Sequence, residues 1–143
     1  MHDLSVSDPI SSDELIAALN ELLEAERAGA RVALETASQI KGQDLAPLVI
    51  DIQQDEVRWC KMLLGVIGSL GNSPSTATGD FYEKAIAIED LKERLVFLNR
   101  GQGWVVRRLD KLIPRIEESH IRSQLQLMLD AHILNIRRVE EGI

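Results

Sequence analysis

The chain has 143 residues, 45% of them hydrophobic and 27% charged, which is enough for one compact domain with a core and too few for two. Aromatic residues make up only 3%, and the dominance of Leu, Ala, Ile, Glu and Arg favours helices over sandwiches or barrels. A net charge of −7 and a pI near 5.0 repel polyphosphates over most of the surface, so nucleic acid is excluded as a partner class.

Ser11 followed by Glu14 forms a capping box, and Leu15, Leu19, Leu22, Glu26, Gly29, Ala33 and Thr36 then recur at steps of four and three. This spacing predicts a first helix over 12–40. Gly42 supplies the stop, Asp44 is a candidate cap, and Pro47 falls in the first turn of a second helix over 45–70. Its seam reads Leu45, Val49, Ile52, Glu56, Trp59, Leu63, Val66 and Leu70, ending at Gly71. Residues 72–80, NSPSTATGD, read as a loop, and a short helix is expected over 81–88. Asp90 with Glu93 caps a third long helix over 90–113, with seam Leu91, Leu95, Leu98, Gln102, Val105, Leu109 and Leu112, broken by Pro114. Ser119 is the expected cap of a fourth over 119–141, with seam Ile121, Leu125, Met128, His132, Asn135 or Ile136, and Val139.

The first and last links are about four to six residues long, which forces each helix pair into an antiparallel hairpin. The middle link, 71–89, is long enough to run the whole length of a helix and deliver the third parallel to the second. The expected fold is all-α: a four-helix bundle of two antiparallel hairpins joined by a long crossover that contains a short helix, in one domain over 1–143. An up-and-down bundle with a decorated loop is the alternative topology.

Each long helix carries one polar residue where a leucine is expected: Glu26, Glu56, Gln102 and His132. Each lies about 14 to 16 residues from its bend, and at 1.5 Å per residue the four reach nearly one level. Two buried carboxylates repel each other and lose hydration, so such a layer needs protons, a cation or basic partners. One reading is a metal site, since carboxylates and an imidazole converging from several helices suit divalent iron, manganese or zinc. The other is a buried hydrogen-bond network, with Glu26 or Glu56 paired to His132, Arg31 or Arg58 reaching inward, and Gln102 completing the bonds.

With these residues in place, the chain looks like the ferritin-like and rubrerythrin-like superfamily, and like small bacterial members of it whose function is unassigned. The likeness covers nearly the whole chain. That superfamily's pattern is a Glu on the first helix, Glu with His three residues later on the second, Glu on the third, and Glu with His three residues later on the fourth. Glu26, Glu56 and His132 match it, whereas Trp59, Gln102 and Leu129 stand where a histidine and two glutamates are expected. The resemblance therefore implies half of a di-iron ligand set. It suits one divalent ion on Glu26, Glu56 and His132, with Gln102, Trp59, Cys60 and Leu129 around it and a redox role to match. The alternative is a metal-free bundle acting as a self-associating interaction or sensing module, most simply a homodimer.

Cys60, one turn after Glu56, is either a thiolate ligand or a small packing residue. Gly101 and Gly103 each cost roughly 1 kcal/mol in a helix, which is explained by close helix contact or by a pocket beside Gln102 walled by Trp59 and Trp104. Asp130, His2, His120 and the basic run Arg107, Arg108, Lys111 and Arg115 read as solvated. The single cysteine, the absence of a secretory pattern in 1–15 and a longest apolar run confined to 62–67 point to a soluble cytoplasmic protein. No glycine-rich phosphate loop, serine elbow or cysteine cluster is present in the sequence, so kinase and hydrolase chemistry are set aside.

Overall fold

The computed structural model describes residues 8–143, so His2 lies outside the described residues. Four long helices follow in order: α1 (Ser12–Gln39), α2 (Ala46–Ser69), α4 (Leu91–Leu112) and α5 (Ser119–Gly142), with the short α3 (Phe81–Ile86) between the second and third. No strand occurs among the described residues. The predicted bounds hold to within two residues. Ser11 and Glu14 make the capping box, and the Asp90 side chain accepts from the Glu93 N–H. Two caps differ from expectation. Leu45 and Glu118, not Asp44 and Ser119, occupy the N-cap positions of α2 and α5, and neither makes a side-chain cap bond. Pro47 in the first turn of α2 removes a donor that would have lacked an intrahelical partner. Pro114 converts the end of α4 into a 3-10 turn over Ile113–Arg115.

Side-chain bonds between helices fix the topology. Arg94 of α4 reaches Thr36 and Gln39 of α1, Arg108 pairs with Glu21, and Arg115 pairs with Glu14, so α4 runs antiparallel to α1. Asn135 and Arg138 of α5 reach Asp55 and Asp51 of α2, so those two are antiparallel as well. Because α1 and α2 form a hairpin, α2 and α4 are parallel, and the up-and-down alternative is excluded. The basic residues of α4 and the following 3-10 turn expected to be solvated are in part engaged at the surface, in these pairs with Glu21 and Glu14.

The crossover is held against α1 along its way. The Ser75 N–H donates to Asn20 Oδ1 at 2.7 Å, its hydroxyl to Glu24 Oε2 at 2.6 Å, and Arg27 donates to the Ser75 carbonyl at 2.9 Å. Further along, Tyr82 donates to Glu35 at 2.8 Å beneath the Arg31 guanidinium. Phe81 stacks on Phe97 of α4, with ring centroids 5.0 Å apart.

Two apolar clusters make up the core. One holds Leu15, Leu19, Leu22 and Leu23 of α1, Trp59, Leu63 and Ile67 of α2, Val105 and Leu109 of α4, and Leu125, Met128 and Leu129 of α5. The other holds Val32 and Ala33 of α1, Val49 and Ile52 of α2, Leu95 and Leu98 of α4, and Val139 of α5. Between them every long helix contributes its polar seam residue, so the register inferred from helical rise is the one adopted. Arg94 is the other charged side chain in the described core. Arg94 is 3% exposed, and its guanidinium reaches no carboxylate, donating instead to the Ile86 and Ile88 carbonyls, Thr36 Oγ1 and Gln39 Oε1. It therefore ties the end of the crossover to α1 and α4.

Removing the Arg94 side chain would leave a buried Thr36 hydroxyl and three part-buried acceptors without this donor. Arg94→Ala should lower stability by about 3 kcal/mol in urea unfolding, and Arg94→Lys should recover only part of that loss because a single ammonium cannot reach acceptors on both elements. A loss under about 1 kcal/mol for Arg94→Ala would show that the crossover is anchored by other contacts.

Candidate functional site

The site is the polar layer between the two apolar clusters, where Glu26, Glu56, Gln102 and His132 are each at most 3% exposed. His132 is oriented from its own helix. Its Nδ1 lies 2.8 Å from the Met128 carbonyl one turn earlier, and since a carbonyl only accepts, Nδ1 carries the hydrogen. Nε2 is thereby aimed into the layer, where it lies 3.1 Å from both carboxylate oxygens of Glu26 and is aligned for a hydrogen bond with Oε2. The arrangement suits either of two ring states: an imidazolium donating to Glu26, or a neutral ring whose Nε2 lone pair shares a cation with that carboxylate. Burial alone would lower the pKa of His132. The Glu26 charge and hydrogen bond, helped by Met128, more than offset this and leave it raised, which favours the imidazolium when no cation is present.

Glu56 has no such partner. Burial first, and then the charges of Glu26 and Asp55, hold its carboxyl well above the usual carboxylate range. Its head rests against the backbone of α1 at Gly29, where an added Cβ would lie 2.0 Å from Oε2 and 2.8 Å from Cδ. Glycine at 29 is thus what lets this carboxylate lie between α1 and α2.

Three buried acceptors have no hydrogen-bond donor: Oε1 of Glu26, of Glu56 and of Gln102. The Gln102 amide donates to Asn99 at 3.3 Å, and Asn99 in turn donates to the Ile136 carbonyl at 3.2 Å, so the amide is oriented with its oxygen unpaired. All three residues line a cavity of about 240 Å³ between α1 and α4, whose other walls include Gly29, Phe81, Leu98, Trp104 and Val105.

The pocket expected beside Gln102 is therefore present, with Trp104 as one wall, but its second aromatic wall is Phe81 and not Trp59. Trp59 is 2% exposed, packs into the apolar cluster, carries the Arg58 guanidinium 4.6 Å from its ring centre, and leaves its indole N–H unpartnered. Arg31 and Arg58 stack on aromatic rings instead of reaching the carboxylates. Close contact explains one glycine of the pair: a Cβ at Gly101 would lie 2.9 Å from the Phe81 ring, whereas one at Gly103 would approach only the tip of Arg107. Burial, with the nearby glutamates, pushes the Cys60 thiol up to about 12, so it is no thiolate at neutral pH, and Leu129 is a core residue. Asp130 and His120 are exposed as expected.

An iron pair does not fit this layer. The second-helix histidine position holds a buried indole, which donates only. The fourth-helix glutamate position holds a leucine packed in the apolar cluster, and the third-helix position holds a neutral amide. Donors for one ion remain. Among the described residues, however, no three His, Cys, Asp or Glu side chains are grouped closely enough to hold an ion. Glu26 and His132 are joined, while Glu56 lies against Gly29.

If Gly29 exists to seat Glu56, a double-mutant cycle will show the coupling. Gly29→Ala should destabilise the wild-type protein, and in a Glu56→Ala background it should instead stabilise by up to about 1 kcal/mol, the helix preference of alanine over glycine. Equal effects in both backgrounds, read from urea unfolding, would separate the glycine from the carboxylate.

No curated protein sequence matches the chain. Among solved structures, it is similar to the crystal structure of ferritin-like, diiron-carboxylate proteins from Bacillus anthracis str. Ames, at 21% identity and a TM-score of 0.82, over 92% of this chain and 98% of that one. At that identity the likeness establishes the ferritin-like fold. No helix among the described residues is long and apolar enough to cross a membrane. Residues 13–141 match the family described as domain of unknown function DUF6306, and the chain belongs to that family.

Proposed function

We propose that the protein binds a single divalent transition-metal ion, iron, manganese or zinc, through Glu26, Glu56 and His132, with the Gln102 oxygen beside them. The observation that carries this reading is the layer's shortage of donors: three residues that line one cavity each hold a buried oxygen without a donor, and a cation would relieve that shortage. Two features support it. His132 has Nδ1 tied to a backbone carbonyl and Nε2 turned into the layer against Glu26, the usual second-shell arrangement of a ligating histidine. The solved relative in fold is described as a diiron-carboxylate protein. Holding the ion would require a shift of at least one carboxylate, because Glu26, Glu56 and His132 are not yet grouped around one point. When bound, such an ion would supply Lewis acidity or, for iron and manganese, one-electron chemistry. The protein's own contribution is to orient Nε2 from Met128, to keep bulk water from the layer, and to hold two carboxylates at one level.

Metal content is the test. After loading with iron, manganese or zinc and removal of excess, wild type should retain close to one equivalent, and His132→Ala and Glu26→Gln should each lose most of it. Retention under about one tenth of an equivalent of every metal, with helicity intact, would remove the reading.

A second reading has its own observation. Glu26 and His132 already pair at 3.1 Å, and a proton on Glu56 would complete a metal-free layer. The bundle would then serve as a self-associating interaction module, most simply a homodimer. Leu127 and Leu134, two turns apart on α5 and more than half exposed, support such a face. Sedimentation at tens of micromolar should then show a dimer that Leu127→Ser with Leu134→Ser dissociates; a wild-type monomer would rule it out.

A further inference from the structure

The cavity between α1 and α4 has a composition that a metal ion alone does not use. At about 240 Å³ it is many times the volume of an ion, and Phe81, Leu98, Trp104 and Val105 give it walls with almost no polar surface. Water filling such a space would find few partners away from the glutamates. Glu26, Glu56 and Gln102 line the same cavity, and each is nearly excluded from solvent and keeps one acceptor oxygen without a donor, which a turn of the side chain would bring into the space. His132 pairs with one carboxylate, and no hydrogen bond reaches Oε1 of the other. Trp104, 36% exposed, lines the same cavity, which therefore reaches toward the surface beside that ring.

We propose that this cavity binds a small organic ammonium: a protonated primary amine on an apolar or aromatic body of roughly eight to twelve non-hydrogen atoms, the content that fits such a volume at protein-like packing. A primary ammonium carries three N–H donors and no acceptor, matching three acceptors that lack donors. Its positive charge answers the carboxylate that His132 does not, and its apolar body replaces water against Phe81 and Trp104. The net charge of −7 draws cations toward the protein. The two glycines support the same site from behind: Gly29 seats the Glu56 head, and Gly101 lets the Phe81 ring form the wall.

This inference is independent of the metal reading, although a metal ion and an ammonium would compete for Glu26 and Glu56. The experiment is calorimetric titration of the full, chelator-treated chain with benzylammonium, and with benzyl alcohol as the neutral probe of similar shape. Benzylammonium should bind with a Kd of about 100 μM or tighter, and benzyl alcohol at least about ten-fold more weakly. Ala25→Leu fills the cavity from α1 without touching a polar group; it should weaken benzylammonium at least about ten-fold. His132→Ala should remove bound metal and leave a benzylammonium site, so failure of one reading does not imply failure of the other. No heat of binding for benzylammonium, equal affinity for the alcohol, or binding indifferent to Ala25→Leu would each overturn the proposal.

Discussion

The structure depends on an unfavourable burial: two carboxylates, an amide and an imidazole held at one level between two apolar clusters. Each unpartnered buried oxygen costs on the order of 1–3 kcal/mol, and an isolated carboxylate more, so the apolar clusters on either side must supply the stability that the layer forgoes. One contact relieves part of the cost, the 3.1 Å pairing of His132 with Glu26. Glu56 gets no such relief, and burial with the Glu26 and Asp55 charges holds its carboxyl well above the usual carboxylate range. A bundle with leucine at these four positions would be the more stable, and the layer therefore reads as a site retained at the expense of stability.

The scaffold around the layer is cross-linked by side-chain hydrogen bonds. Antiparallel pairing of α1 with α4 and of α2 with α5 gives each polar side chain a fixed depth, and the crossover is held to α1 at Asn20, Glu24, Arg27 and Glu35. Arg94 locks the return of the chain into α4 with four neutral acceptors. The consequence is that Phe81, carried by the crossover, becomes a wall of the central cavity. Connection and site are thus one construction: the segment that sets the topology also shapes the space beside Glu56 and Gln102.

Periodicity and link length made much of this legible in the sequence. The level of Glu26, Glu56, Gln102 and His132 follows from helical rise alone, because four seams with matched hairpin lengths admit one register. The departures at Trp59, Gln102 and Leu129 were legible too, since they fall on fixed spacings. What was not legible depends on contacts between distant segments. Sequence does not place Phe81 in the cavity wall, because a loop of unknown path carries it there, and the seam position that puts Trp59 in that wall misleads because its ring packs in the apolar cluster. Arg94 carries no sequence signal of its role, because its acceptors lie on α1 and the crossover and meet it only in the folded chain. Gly29 left a faint signal, a glycine on a core seam three residues after Glu26, but that it accommodates Glu56 depends on the approach of α1 to α2. Asp44 and Ser119 followed cap preferences that the hairpin geometry overrode.

The central claim is that the unpaired oxygens of the layer surround a cation. Anomalous diffraction from crystals of protein loaded with iron, manganese or zinc addresses it most directly. A single peak about 2.0–2.2 Å from His132 Nε2 and from the Glu26 and Glu56 carboxylates is expected. A layer that stays without an anomalous peak after loading, with Nε2 still bonded directly to Glu26, would contradict it.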